Sequence, residues 1–197
     1  MGGIPIRDCC TLRSMELDYD IRLIRAAEHA LLQKMLYLAI FVPPGNPPPD
    51  EAIIREPRLA RIYDDWGRPG DLALVATLRH EHGEPGGAGD AGTEEHHHPV
   101  IIGAAWYRLY PAEAPGYGFV AEDIPELSVA VEPEYRRRGV GTALLRALIS
   151  RGTEVGYRGI SLSVDARNPA LRLYERLGFR AVKSDGNPTM LLELRPA

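Results

Sequence analysis

Apolar and polar positions change their period several times along this chain, and each change marks an element. Ile21 to Arg25 alternates apolar with basic residues, the two-residue period of a strand. From about Ala26 to Phe41 the apolar residues Leu31, Met35, Leu36 and Ile40 recur at helical spacing, until prolines 43–49 remove the N–H groups a helix needs. Asp50 offers an N-cap to a second helical segment, which Pro57 divides in two. Trp66–Asp71 is a turn by composition. Leu72–Leu78 and Val100–Tyr110 read as antiparallel strands, joined by residues 81–99, rich in Gly, Glu and His, as a long hairpin loop.

The second half is more regular. Leu127–Val131 reads as a strand, Thr142 to about Val155 as a helix, and Ile160–Val164 as a strand with Ile160, Leu162 and Val164 on one face. A short helix follows, with Asn168 as its cap, Pro169 at its first position and Gly178 closing it in the left-handed conformation. Ala170, Leu173, Tyr174 and Leu177 share one face of it. Phe179–Val182 and Met190–Leu194, connected through Asp185-Gly186, read as a final antiparallel pair. The predicted order is strand, two helices, three strands, helix, strand, helix, two strands.

At 197 residues and 45% apolar composition the chain fits one domain, assigned to residues 21–197 behind a flexible segment 1–20. The net charge of -4 is uneven: residues 1–100 carry 10 basic and 16 acidic side chains, residues 101–197 carry 13 and 11. With a pI of about 5.9 the chain lacks the basic face of a nucleic-acid binder. The longest apolar run, Ala30–Val42, is interrupted by Gln33 and Lys34 and is too short to span a bilayer, so a soluble protein without a membrane partner is expected. Only Cys9 and Cys10 are present, so no disulfide framework is expected and a reducing, cytoplasmic setting follows. His80, His82 and His96–His98 flank the hairpin loop without a fixed ligand spacing, and no metal is assigned to them.

The chemistry concentrates at Arg136-Arg137-Arg138-Gly139-Val140-Gly141, set between the apolar strand 127–131 and the following helix. A strand turning sharply into a helix presents unpaired N–H groups, and glycines let an anion approach that backbone. The spacing is not that of a Walker loop, and Leu144 stands where a dinucleotide fingerprint needs its third glycine, which argues against a Rossmann-type oxidoreductase.

Leu127 to Val131, Pro133 to Thr142, and Asn168-Pro169-Ala170 through Leu173-Tyr174-Glu175-Arg176-Leu177-Gly178-Phe179 together resemble the GCN5-related N-acetyltransferase (GNAT) superfamily. The specific resemblance covers roughly residues 126–182. Trp66 to Asp71 and Gly103-Ala104-Ala105-Trp106 look like a bacterial branch of it. The resemblance implies an α/β (α+β) fold: a mixed, mostly antiparallel sheet with flanking helices, whose central parallel strands splay apart after Val131 to admit acetyl-CoA. It places the pyrophosphate on the backbone of Arg137, Arg138, Gly139, Val140, Gly141 and Thr142, with Arg136 and its neighbours adding side-chain contacts. The pantetheine amides would pair with the backbone of Val129, Ala130 and Val131, and Asn168 and Tyr174 would lie near the thiol end.

Acyl transfer to an amine requires a neutral nitrogen. Deprotonating a lysine-like amine at pH 7 costs roughly 4–5 kcal/mol, and an α-amine only about 1. Glu126 is the candidate base, directly or through water, with Glu122 and Asp123 as substitutes and Glu132 and Glu134 too near the pyrophosphate turn. Tyr174 is the candidate acid for the departing thiolate. The expected activity is acetyl-CoA-dependent N-acetylation of a primary amine, small molecule or peptide, by direct attack in a ternary complex. The alternative is a non-catalytic acyl-CoA sensor, which needs the phosphate turn but neither Tyr174 nor Glu126. The acceptor and oligomeric state are left open, a homodimer included.

Overall fold

The computed structural model describes residues 17–79, 99–184 and 186–194. Residues 1–16 with both cysteines, the histidine-rich stretch 80–98 and Asp185 lie outside the described residues. Seven strands form one sheet in the order β1-β2-β3-β4-β5-β7-β6, where β1 is Tyr19–Leu23, β2 Leu72–Leu78, β3 Ile101–Arg108, β4 Glu126–Val131, β5 Gly159–Ser163, β6 Arg180–Lys183 and β7 Thr189–Glu193. All neighbours pair antiparallel except β4 and β5. The helices are α1 (Leu31–Ala39), α2 (Pro57–Ala60), α3 (Val140–Val155) and α4 (Leu171–Arg176), with short 3-10 turns at Ala26–Glu28, Glu51–Arg55 and Pro133–Tyr135.

The element order agrees with the sequence pattern, and the boundaries move for identifiable reasons. β1 begins at Tyr19, two residues before the expected strand and domain start, because Tyr19 and Asp20 pair with Leu78 and Thr77. The first helical run divides into a 3-10 turn and α1, which ends at Ala39 before the prolines. α3 starts at Val140 rather than Thr142, since Gly139 caps it at φ 85°, a left-handed value suited to glycine. α4 is capped at Ala170 rather than Asn168. Asn168 instead closes the approach, its Oδ1 accepting from the Ala170 N–H at 2.9 Å and its carbonyl from the Leu171 N–H at 3.0 Å. Gly178, at φ 96°, ends α4 as expected, with Phe179 N–H donating to the Tyr174 carbonyl.

The central strands are apolar on both faces because both are covered. On one face Leu74, Ala76, Ala105, Tyr107 and Leu127 pack against Val140, Leu144, Leu145 and Leu148 of α3. On the other, Ala73, Val75, Ala104, Trp106 and Ala130 meet Leu32, Met35 and Leu36 of α1, with Ile62 and Tyr63 beyond α2. One charged residue lies inside this layer: Arg108, 1% exposed, is bidentate to Asp71, 2% exposed, at 2.8 and 2.6 Å. It also donates to the carbonyls of Arg61 and Asp64 and stacks 5.1 Å over the Trp66 ring, fixing the turn 66–71 and the chain leaving α2.

The parallel pair carries the architecture's main consequence. β4 and β5 pair at a single register position, Glu126 with Ser161, where Ser161 N–H donates to the Pro125 carbonyl at 2.9 Å. The strands therefore part from Leu127 onward, five residues earlier than the expected opening after Val131. Gly118 of the 111–125 loop lies against the β5 peptide between Leu162 and Ser163, so close that a Cβ there would collide with that backbone.

Candidate functional site

The parted strands open a cleft of about 320 Å³. Its walls bring together Glu126, Leu127, Ser128 and Val129 of β4, Leu162 and Ser163 with Val164 at the end of β5, Asn168, and Tyr174 of α4. The opposite wall is Leu36, Ala39, Ile40 and Phe41 from α1 and its exit, with Ile53, Leu59, Ile62 and Tyr117. Two residues read from the sequence as acid and base thus line one cavity, although 48 positions separate them.

Backbone direction along β4 decides which groups face the opening. Glu132 N–H donates to the Ile102 carbonyl at 2.9 Å, so by antiparallel alternation Ala130 also turns its polar backbone to β3. The Ala130 carbonyl lies 2.9 Å from the Cβ position of Gly103, consistent with that direction. Val129 and Val131 turn theirs to the opening. Of the three expected pantetheine partners, Ala130 is therefore already paired within the sheet, and the Val131 carbonyl accepts from Arg136 Nε at 2.9 Å.

The turn into α3 has the expected character. Arg137 adopts φ 63° and Gly139 φ 85°, which swings the chain so that the helix opens toward the cleft end of β4. Among the described residues, no N–H of 137–142 donates to a carbonyl outside α3 or to a side chain. An added Cβ at Gly139 would meet nothing within 4 Å, and one at Gly141 only Val131 Cγ2 at an ordinary 3.5 Å. Packing thus does not demand glycine at 141. Its missing side chain leaves the first turn of a 16-residue helix bare, which fits a phosphate seat. All three arginines are exposed, but they divide in a way the sequence did not show: Arg136 is tied back, its Nη2 donating to the Leu38 carbonyl of α1 at 3.3 Å, while among the described residues Arg137 and Arg138 make no such side-chain bond. Beside them Glu132 pairs with Lys34 of α1 at 2.6 Å, and Glu134 is exposed, so neither competes as the base.

Glu126 sits at the root of the opening. Its Oε2 is buried without a hydrogen-bond partner, and the 111–125 loop passes so near that a Cβ on Gly116 would collide with that oxygen. Burial pushes its carboxyl up to about 7, with the N–H groups of Gly118 and Tyr117 and the charge of Arg58 pulling the other way. Tyr174, 8% exposed, packs edge-on to Phe179 at 5.9 Å, and burial pushes its phenol up to about 12, so it stays protonated. The substitutes lie elsewhere. Glu122 accepts the Ala112 N–H and Asp123 pairs with Arg158, both lining a separate open depression with Leu109, Val155 and Tyr157. The apolar wall of the cleft was missed in the sequence, because Ile53 and Leu59 fall in short helical pieces and Ile62 in the turn beyond α2, none with a long period.

Residues 52–179 match the acetyltransferase (GNAT) family. The chain belongs to that family. It is 30% identical to a mycothiol acetyltransferase of Pseudarthrobacter chlorophenolicus over 195 residues, covering 90% of this chain and 51% of that protein. It is 41% identical to the [ribosomal protein bS18]-alanine N-acetyltransferase of Escherichia coli (strain K12) over 61 residues, 30% of this chain and 41% of that protein. The aligned stretches span 26% to 53% of the curated relatives' length. A GNAT superfamily phosphinothricin acetyltransferase from Sinorhizobium meliloti, solved in complex with acetyl-CoA, superposes with a TM-score of 0.56 at 21% identity, covering 92% of this chain and 94% of that one. Among the described residues no helix is long and apolar enough to cross a membrane, and no group of three metal-ligating side chains gathers.

Proposed function

We propose that the chain is an acetyl-CoA-dependent N-acetyltransferase whose active site is the opening between β4 and β5, within a single cytoplasmic acyltransferase domain. The observation that carries this is the meeting of Glu126 and Tyr174 in one cleft along β4, the strand whose far end, Val131, lies beside Gly141 of the bare turn. The turn's N–H groups and the side chains of Arg137 and Arg138 would hold the cofactor's phosphates. The outward backbone of Val129 and the free N–H of Val131 would meet its pantetheine arm, beside Asn168. Bound there, acetyl-CoA supplies an activated acetyl thioester.

Glu126 then takes a proton from the acceptor ammonium, directly or through water, leaving a neutral nitrogen. With its carboxyl near 7, this group is a stronger base than an exposed carboxylate and still ionises at neutral pH. The nitrogen attacks the acetyl carbon. A C–N bond forms, the C–S bond breaks, and Tyr174 donates its phenolic proton to the departing sulfur, while the second proton that the nitrogen sheds on becoming an amide restores the phenol through solvent.

Thiol release from acetyl-CoA across an amine panel, paired with calorimetry for CoA, tests this reading. Tyr174→Phe should lower turnover at least tenfold and leave CoA affinity nearly intact. CoA binding without thiol release on any amine would instead support an acyl-CoA sensor.

A further inference from the structure

The cleft also carries information about the acceptor. Resting on the acetyltransferase reading above, we infer that the acceptor is a monoamine whose nitrogen is borne on an apolar group, and that polyamines and amino sugars are poor substrates. Leu36, Ile40, Phe41, Ile53, Leu59 and Ile62 line the wall opposite the cofactor strands, and no charged side chain interrupts them. A polar body seated against that wall would lose water there, and the polar side chains of the cleft, Ser128, Ser163, Asn168 and Asn187, lie on its other sides.

The charges around the cleft allow one ammonium and no more. Glu126 lines the cleft, and its Oε2 is buried without a hydrogen-bond partner beside Gly116 of the 111–125 loop. The other lining carboxylate, Asp165, is already paired with Arg167 at 2.7 Å. At the mouth, Arg58 stands 4.5 Å over the ring of Tyr117 and adds positive charge. A polycation would need several carboxylates and would meet an arginine instead. A single amine with a hydrophobic substituent satisfies Glu126 with its nitrogen and the wall with its carbon.

Two sources share that chemistry, a free alkyl or arylalkyl amine and the α-amine of a chain beginning with an apolar residue. Thiol release should be measured with acetyl-CoA and propyl-, butyl- and pentylamine, phenethylamine, a Leu-initiated tripeptide amide, spermidine, glucosamine and kanamycin. Along the alkyl series kcat/KM should rise about fourfold per methylene until the wall is filled. Phenethylamine or the peptide should exceed spermidine and glucosamine at least tenfold, and whichever is faster identifies the source. Leu59→Asp should cost the hydrophobic acceptors at least tenfold in kcat/KM with CoA affinity unchanged by calorimetry. Ile53→Ala, a milder change, should raise their KM alone. A flat alkyl series, or spermidine, glucosamine or kanamycin acetylated as well as the apolar amines, overturns this inference and leaves acetyl transfer standing. CoA bound with no amine acetylated overturns both.

Discussion

At the scale of single residues, Glu126 joins stability to activity. Its carboxyl is lifted from an ordinary 4.5 to about 7, first by burial. Between those values the unfolded chain releases a proton that the folded chain retains. Stability is therefore full below pH 4.5, falls as pH rises toward 7, and is flat above it. Glu126→Gln keeps the shape but cannot ionise. It should match the wild type near pH 4.5 and exceed it by about 3 kcal/mol at pH 8 in urea unfolding, while kcat/KM loses its rise through pH 7 and drops at least tenfold at pH 8. The sequence showed a carboxylate at the start of a strand and not its protonation. The groups that bury it come from Gly116, Tyr117 and Gly118, in a loop whose composition has no period to read.

Among elements, α3 and its entry turn are where the sequence was most legible, because an apolar strand, a glycine pair and an amphipathic run follow one another without interruption. Only the start slipped. Gly139 and Gly141 mask Val140, which is buried as the first helical residue. The arginine run shows the limit of composition. Of three identical, exposed neighbours only Arg136 is tied to α1, and Arg137 between them adopts φ 63°, a distinction that residue type does not carry. Gly141 separates ligand binding from packing. Gly141→Ala meets only Val131 Cγ2 at 3.5 Å and replaces a poor helix former, so the folded chain should gain about 0.5 kcal/mol. The same methyl group stands where an anion would approach the helix start. CoA affinity should fall at least tenfold by calorimetry while the thermal midpoint rises slightly; unchanged affinity would remove the phosphates from this turn.

For the whole molecule, the sheet works because one pair of strands fails to zip, and that failure is set by parts distant in sequence. Gly118 abuts β5, α1 and the chain from Ile53 to Ile62 form the far wall, and neither has a signature that the β4 and β5 sequences carry themselves. A mixed sheet with splayed central parallel strands was legible from the family resemblance, but the point of parting at Leu127 was not, since it depends on that loop's close approach. Arg108 and Asp71 have the same character. An arginine at the end of an apolar strand reads as solvated, yet it is enclosed and fully paired, and it anchors the segment from Arg61 to Asp71 that presents Ile62 to the cleft. Removing one partner strands the other charge in the interior, so Arg108→Met should cost about 3–5 kcal/mol in urea unfolding. Adding Asp71→Leu removes the stranded carboxylate and should return at least half of that loss in a double-mutant cycle. Both variants untie the same segment from β3. The double variant should therefore refold well and bind CoA normally, yet show an acceptor KM raised at least fivefold, because the anchored turn holds the acceptor wall and the cofactor strands stand without it.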